Sequence, residues 1–269
     1  MKKFLLLTLT FIGTIMLTAC GGQSDNSQSI SVVGSTSVAP IAEALAEKYQ
    51  EGIVDIQSVG SSAGIKAAAD GTADIGMSSR DLKAEEKSGL KEYKIALDGI
   101  AVVVNSKNIA KDLTVEQLQK IYKGEITNWK EVGGKDAPII VVSREEGSGT
   151  RGAFEELVGL ENKETKASML LPAAVIGDGN GAVKQNVASK ENAIGYLSLG
   201  SVDTTVKTLT IAGVAPTVDN IKNGTYKISR PFILITKGEP TVESKKFIDY
   251  VLSEEGQKIV KEKGYITIN

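Results

Sequence analysis

Apolar β-branched runs alternate with helical patterns along the chain, which is the signature of an α/β fold. The junction between the two recurs four times in one form. "ISVV" leads through "GSTS" into a helix with Ile41, Leu45 and Tyr49 on one face, and "VDIQSV" leads through "GSSAG" into the short Ala-rich helix "IKAAAD". "APIIVVS" leads through "REEGSGT" into "RGAFEELVG", where Phe154, Leu157 and Val158 form one apolar stripe. "AAVIG" leads through "DGNG" into "AVKQNVA".

Each junction is a strand, then Gly with Ser, Thr or Asn, then a helix start. Glycine lets the backbone approach a guest closely, and Ser, Thr and Asn cap helices. The first-turn N–H groups are then free to face an anion with the helix dipole behind them. One such loop is ordinary capping; four in one chain point to an anion site.

The N-terminus stands apart from this pattern. Lys2 and Lys3 precede an uncharged stretch from Phe4 to Leu17, too short to span a bilayer comfortably and of signal-peptide form. "LTAC", Leu17 to Cys20, ends on the only cysteine and resembles the site cut in bacterial lipoproteins just before a lipid-carrying cysteine. An ordinary secretory signal ending near a cysteine is the alternative. The expected division is a signal peptide over 1–19 and a lipidated tether over 20–28, small and polar with no apolar period. The protein is then anchored to the membrane without spanning it.

Of the 31 basic residues two belong to that signal, so against 33 acidic ones the net charge is about −4, which argues against a nucleic-acid partner. With no histidine, Ser-His-Asp and Cys-His nucleophile systems are excluded, and so is the commonest transition-metal ligand. No metal or cofactor is expected. The P-loop is absent, and the one Gly-x-Ser-x-Gly string, Gly60 to Gly64, has no histidine to complete a triad. The one Ser-x-x-Lys, Ser88 to Lys91, lies in a charged stretch read as a solvated helix face.

The chain has four arginines, at 80, 144, 151 and 230. Three sit in or beside Ser- and Gly-rich loops, and the guanidinium fork suits an oxyanion. A structural Arg–Glu pair is the other reading: Glu145 or Glu146 holds Arg144 in place, and Arg151 could equally face solvent.

Five segments, in this order, carry a resemblance: "VVGSTSVAPIAEALAEKY", "GSSAGIKAAADGTADIGMSSRDL", "IYKGEITNWKEVGG", "SREEGSGTRGAF" and "NGAVKQNVASKENAIGYLSLG". Together they make the chain similar to the phosphate-binding subunit of bacterial phosphate ABC transporters in its lipid-anchored Gram-positive form. The resemblance implies a two-lobed α/β fold of the type II periplasmic-binding-protein kind, with mixed sheets flanked by helices and a ligand cleft between lobes. It implies one lobe over 29–104 and 208–269 and the other over 105–207, with "GIAVVVNSK" and "VKTLTIAG" as hinge strands. The implied partners are inorganic phosphate and the transmembrane permease subunits, at the extracellular face of the cell membrane.

Carried over position by position, the phosphate ligands are Thr36, Ser37, Ser61, Arg144, Ser148, Gly149 and Thr150. Ser35, Ser62, Ser79, Arg80, Asn180 and Gly181 stand as further candidates, and Glu146 takes the role of the acid orienting Arg144. Family members place an aspartate in the segment that here reads "DIGMSSRDL", where it accepts the proton of hydrogen phosphate and repels sulfate. Ser79 occupies that position, so rejection of sulfate is expected to be gentler unless Asp81 or Asp178 turns toward the cleft. Two rival classes stay open, a serine-dependent phosphatase or esterase using Ser148 with Lys184 as base and a structural surface lipoprotein; within the binding class the nearest alternative is a receptor for another tetrahedral oxyanion. Trp129, the only tryptophan, reads as packing in the second lobe.

Overall fold

The structure, a computed structural model, describes residues 29–268; the expected signal peptide, Cys20 and tether lie outside them. Strand β1 (Ile30–Gly34), helix α1 (Ala39–Lys48), strand β2 (Val54–Ser58), helix α2 (Ser61–Asp70) and strand β3 (Ile75–Ser78) open the chain. The 16-residue strand β4 (Leu90–Asn105) follows. Next come β5 (Asp112–Leu113), α3 (Val115–Lys123), β6 (Ile140–Arg144), α4 (Gly149–Leu157), β7 (Val175–Gly177), α5 (Gly179–Ser189) and β8 (Ala193–Ser198). Short β9 (Val206–Thr208), β10 (Thr210–Ile211) and α6 (Val218–Lys222) precede β11 (Ser229–Lys237), α7 (Val242–Leu252) and α8 (Glu254–Glu262).

Nine strands form one mixed, curled sheet in the order β2-β1-β3-β11-β4-β8-β6-β7 with β9 beside β4, and β5 and β10 pair apart from it. Parallel pairs β1/β2, β1/β3, β6/β7 and β6/β8 carry the helical crossovers, and β11 joins antiparallel to β3 and β4. Strand β4 binds the two halves together. From Leu90 to Gly99 it pairs with β11, and from Ile100 to Val104 with β8. Its inner stretch, Gly99 to Asn105, is buried on both faces, as its unbroken apolar run "IAVVV" requires.

Among the described residues four hydrophobic clusters pack on the sheet, and the two largest flank that crossing. Val32, Ile41, Leu45, Ile75, Phe232 and Phe247 fill the first. Tyr122, Trp129, Phe154 and Tyr196 centre the second, with Phe154 stacked on Tyr196 at 3.8 Å between centroids. Leu209, Ile211, Ile221, Tyr226 and Ile228 also pack in this second core, and β9 pairs with β4 beyond its crossing. The sheet partner of β4 changes at 99–100, and β11 joins it from Ser229, which pairs with Gly99. The stretch "VKTLTIAG" is not one continuous strand. Its residues make short β9 and β10, the latter paired with β5.

At the crossing Arg230 on β11 and Asp98 on β4 form a buried ion pair at 3.0 Å, both about 1% exposed. On the other side of the first half, α2 lies against β1 so closely that a Cβ on Gly64 would sit 2.5 Å from the Gly34 Cα. That contact brings the start of α2 beside the end of β1. Ser88 and Lys91 do not share a helix face, because β4 begins at Leu90 and Lys91 pairs with Glu239 across the strand edge.

Candidate functional site

The four Gly/Ser junctions meet. Each follows the C-terminal end of a strand, and the curl of the sheet turns the ends of β1 and β2 toward those of β6 and β7. Ser37 Oγ lies 2.8 Å from Thr150 Oγ1 and accepts a hydrogen bond from Asn180 Nδ2 at 3.0 Å. Arg144 Nη2 donates to Thr36 Oγ1 at 2.8 Å. The Ser62 N–H donates to the Gly147 carbonyl at 3.1 Å. Every one of these contacts joins the first half to the second, so the cleft is closed.

Closure leaves little slack. A Cβ on Gly149 would lie 2.1 Å from Ser61 Oγ and 2.8 Å from Ser79 Oγ, so only glycine lets α4 begin there. Ser37, Ser61, Ser79, Arg144, Ser148, Thr150 and Asn180 are all buried, an unusual density of polar side chains for an interior.

Local structure explains the placement of each group. Helix α2 starts at Ser61, earlier than the Ala-rich run suggests, because Gly60 at φ +97 turns the chain into the helix. Ser61 Oγ then accepts from the Ser79 N–H at 3.1 Å. Ser148 caps α4 by accepting from the Arg151 N–H at 3.3 Å. Arg144 ends β6, its N–H donating to Tyr196 Oη at 3.4 Å. Its guanidinium is gripped by Glu145, with Nε to Oε2 at 2.7 Å and Nη2 to Oε1 at 2.6 Å, while Nη1 donates to Asn180 Oδ1 at 3.1 Å.

The acid that orients Arg144 is thus Glu145 and not Glu146. Glu146 is exposed, whereas Glu145 also accepts the Gly179 N–H at 3.1 Å and ties the third loop to the fourth. Partial burial pushes the Glu145 carboxyl up, but the Arg144 guanidinium and the Gly179 N–H outweigh it and hold the carboxyl below its ordinary range.

Several candidates fall outside the cluster. Arg80 is bound bidentately by Glu86 at 2.7 and 2.8 Å and also donates to the Ser62 hydroxyl. Ser62 itself serves the contact to Gly147. Arg151 pairs with Glu155 at 2.8 Å and donates to the Arg144 carbonyl, a structural role in place of solvent exposure. Gly181 is exposed in the first turn of α5. Asp81 and Asp178 are exposed and do not turn into the cleft. Tyr196 and the Ser198 N–H, which donates to Asn180 Oδ1 at 3.2 Å, support the site without any loop motif to announce them.

Comparison with known proteins agrees with this architecture. The PBP superfamily domain matches residues 21–255. The chain is 35% identical, over its full length and 95% of the relative, to the phosphate-binding protein PstS of Bacillus subtilis. The chain belongs to the phosphate-binding protein family. A substrate-binding protein assigned to a phosphate ABC transporter of Clostridium perfringens, solved with bound phosphate, is 50% identical over 90% of this chain and all of its own, with a TM-score of 0.85. An ABC-type phosphate transport receptor from Vibrio cholerae is 45% identical over 88% of this chain and 99% of its own, with a TM-score of 0.76. Membership of this family makes the chain a binding protein, not an enzyme.

Proposed function

We propose that this protein is an extracytoplasmic receptor that captures inorganic phosphate between its two halves and delivers it to an ABC permease for import. Lipid on Cys20 holds it at the outer face of the cell membrane. In this reading 29–99 with 229–268 forms one lobe and 100–228 the other. Thr36, Ser37, Ser61 and Ser79 bind from the first lobe, and Arg144, Ser148, Gly149, Thr150 and Asn180 from the second. Glu145 aims the arginine.

The observation that carries the reading is the convergence of these groups around buried Arg144, with residues of both halves in direct contact. A ligand touching both lobes biases a two-state hinge toward closure. The energetics suffice: hydrogen bonds to a charged group contribute about 1.5–3 kcal/mol each, and a micromolar complex needs about −8 kcal/mol. Part of the set therefore covers anion desolvation and lobe ordering.

Uptake of labelled phosphate by cells with and without the protein tests the whole reading. Loss of the protein is expected to cut uptake, Arg144→Met to reproduce that loss, and Cys20→Ala to release the protein into the medium. Uptake that ignores the protein contradicts it.

A further inference from the structure

The two halves meet in different ways on different sides of the site. At the start of α2 main chain meets main chain: the Ser62 N–H donates to the Gly147 carbonyl at 3.1 Å, and a Cβ on Gly60 would lie 3.4 Å from that carbonyl oxygen. Beside α4 a pinned side chain closes the gap. A Cβ on Gly152 would lie 3.2 Å from Arg80 Cδ, and Glu86 and Ser62 hold the Arg80 guanidinium in place. Both contacts part only when the halves move as bodies.

Between the starts of α1 and α5 the contacts are of another kind, because side chains alone cross. Arg144 Nη2 donates to Thr36 Oγ1, and Asn180 Nδ2 donates to Ser37 Oγ. On this flank a cavity of about 590 Å³ counts Thr36, Pro40, Asn180, Gly181 and Lys184 in its wall. Pro40 and Gly181 are exposed, so it opens to solvent; Thr36 is half-buried, whereas Ser37, Arg144 and Thr150 are buried. A Cβ on Gly181 would meet nothing outside its own helix within 4 Å among the described residues. The Lys184 ammonium is compensated by Asp203 at 2.6 Å and the Ser201 carbonyl at 3.3 Å, which weakens its hold on a passing anion.

We infer that Thr36 and Asn180 form a side-chain gate on the flank between α1 and α5, through which phosphate passes between the closed site and solvent without separation of the halves. The inference rests on the phosphate-binding reading above and adds the route. Arg144 supplies the coupling, since its Nη1 donates to Asn180 and its Nη2 to Thr36. An arriving oxyanion competes for those same two donors as a charged acceptor, so the ligand itself displaces the gate. Side-chain rotation is also the faster event: exposed rotamers turn in picoseconds to nanoseconds, whereas lobes move in microseconds to milliseconds.

Pinning the halves together tests the gate. A Cβ on Gly147 would lie 3.6 Å from that of Ser62, within disulfide range, so Ser62→Cys with Gly147→Cys is expected to join the halves on oxidation. The full mature protein carrying this pair is oxidised, loaded with labelled inorganic phosphate and chased with unlabelled phosphate under rapid filtration. Release is expected within about threefold of the rate seen after reduction, because gate rotation needs no lobe motion. Label retained until reductant is added overturns the inference.

A second variant does not depend on a disulfide. Gly181→Trp puts bulk into the flank, and release and capture are expected to slow together by about tenfold while calorimetry finds Kd within about twofold. Val59→Trp, at an exposed position beside the main-chain contact, is expected to leave both rates alone. Exchange in Gly181→Trp at the unaltered rate overturns the gate and leaves phosphate binding intact. Absence of retained label in the unsubstituted protein overturns the phosphate reading itself.

Discussion

At the scale of single residues the site is defined by tight fits and by directed hydrogen bonds. Gly149 starts α4 against Ser61 and Ser79, and a methyl group there has no room at 2.1 Å. Gly149→Ala is expected to resist closure at a cost of about 1–3 kcal/mol, the usual range for overpacking. Isothermal titration with phosphate then reads a roughly 5- to 150-fold loss of affinity, with little change in melting temperature. Arg144→Lys keeps the charge but loses the fork that spans Thr36, Asn180 and Glu145; affinity is expected to fall by about tenfold or more. Glu145 supplies a pH signature. Its carboxyl is held below the ordinary 4.5, so its contribution to stability is complete above that value and fades as pH falls through the lowered one. The melting-temperature gap between the protein and Glu145→Gln is therefore expected to stay constant from neutral pH to about pH 4.5 and to close in stronger acid.

At the scale of elements the crossing of β4 and β11 carries the link between halves. Asp98 and Arg230 sit there almost without exposure. Burial pushes the Asp98 carboxyl up and the Arg230 guanidinium opposes it. Removing one partner leaves the other charge buried and alone, which costs about 3–5 kcal/mol. Chemical denaturation of Asp98→Ala is expected to show a loss of that size, and Asp98→Leu combined with Arg230→Met a much smaller one.

The four loops were legible in the sequence because glycine, serine and helix starts are local signals that keep their meaning in any fold. The crossings were less so. Apolar β-branched runs look alike whether a strand spans both halves, as β4 does, or serves only one, as β9 does, because the difference lies in the partner strand. Thus 209–228 reads as part of the returning lobe and packs in the cluster of Tyr122, Phe154 and Tyr196. The same limit separates Glu145 from Glu146, adjacent acids of which Glu145 pairs with Arg144 and Glu146 is exposed. It also separates Arg144 from Arg80 and Arg151, whose carboxylate partners Glu86 and Glu155 claim them within the fold.

For the whole molecule, the net charge is acidic although the proposed ligand is an anion, so attraction at long range does not drive capture. Oriented hydroxyls, amides and one compensated arginine supply the field at contact distance. Binding is accordingly expected to weaken only modestly between low and physiological salt, which titrations at several ionic strengths check; a steep loss would point to steering by surface charge. Closure between halves is expected to shrink the radius of gyration on adding phosphate, as seen by solution scattering. The most direct measurement is one calorimetric titration of phosphate into the mature protein near neutral pH. The account predicts a single saturable site per chain with micromolar affinity or tighter; the absence of saturable heat would contradict it.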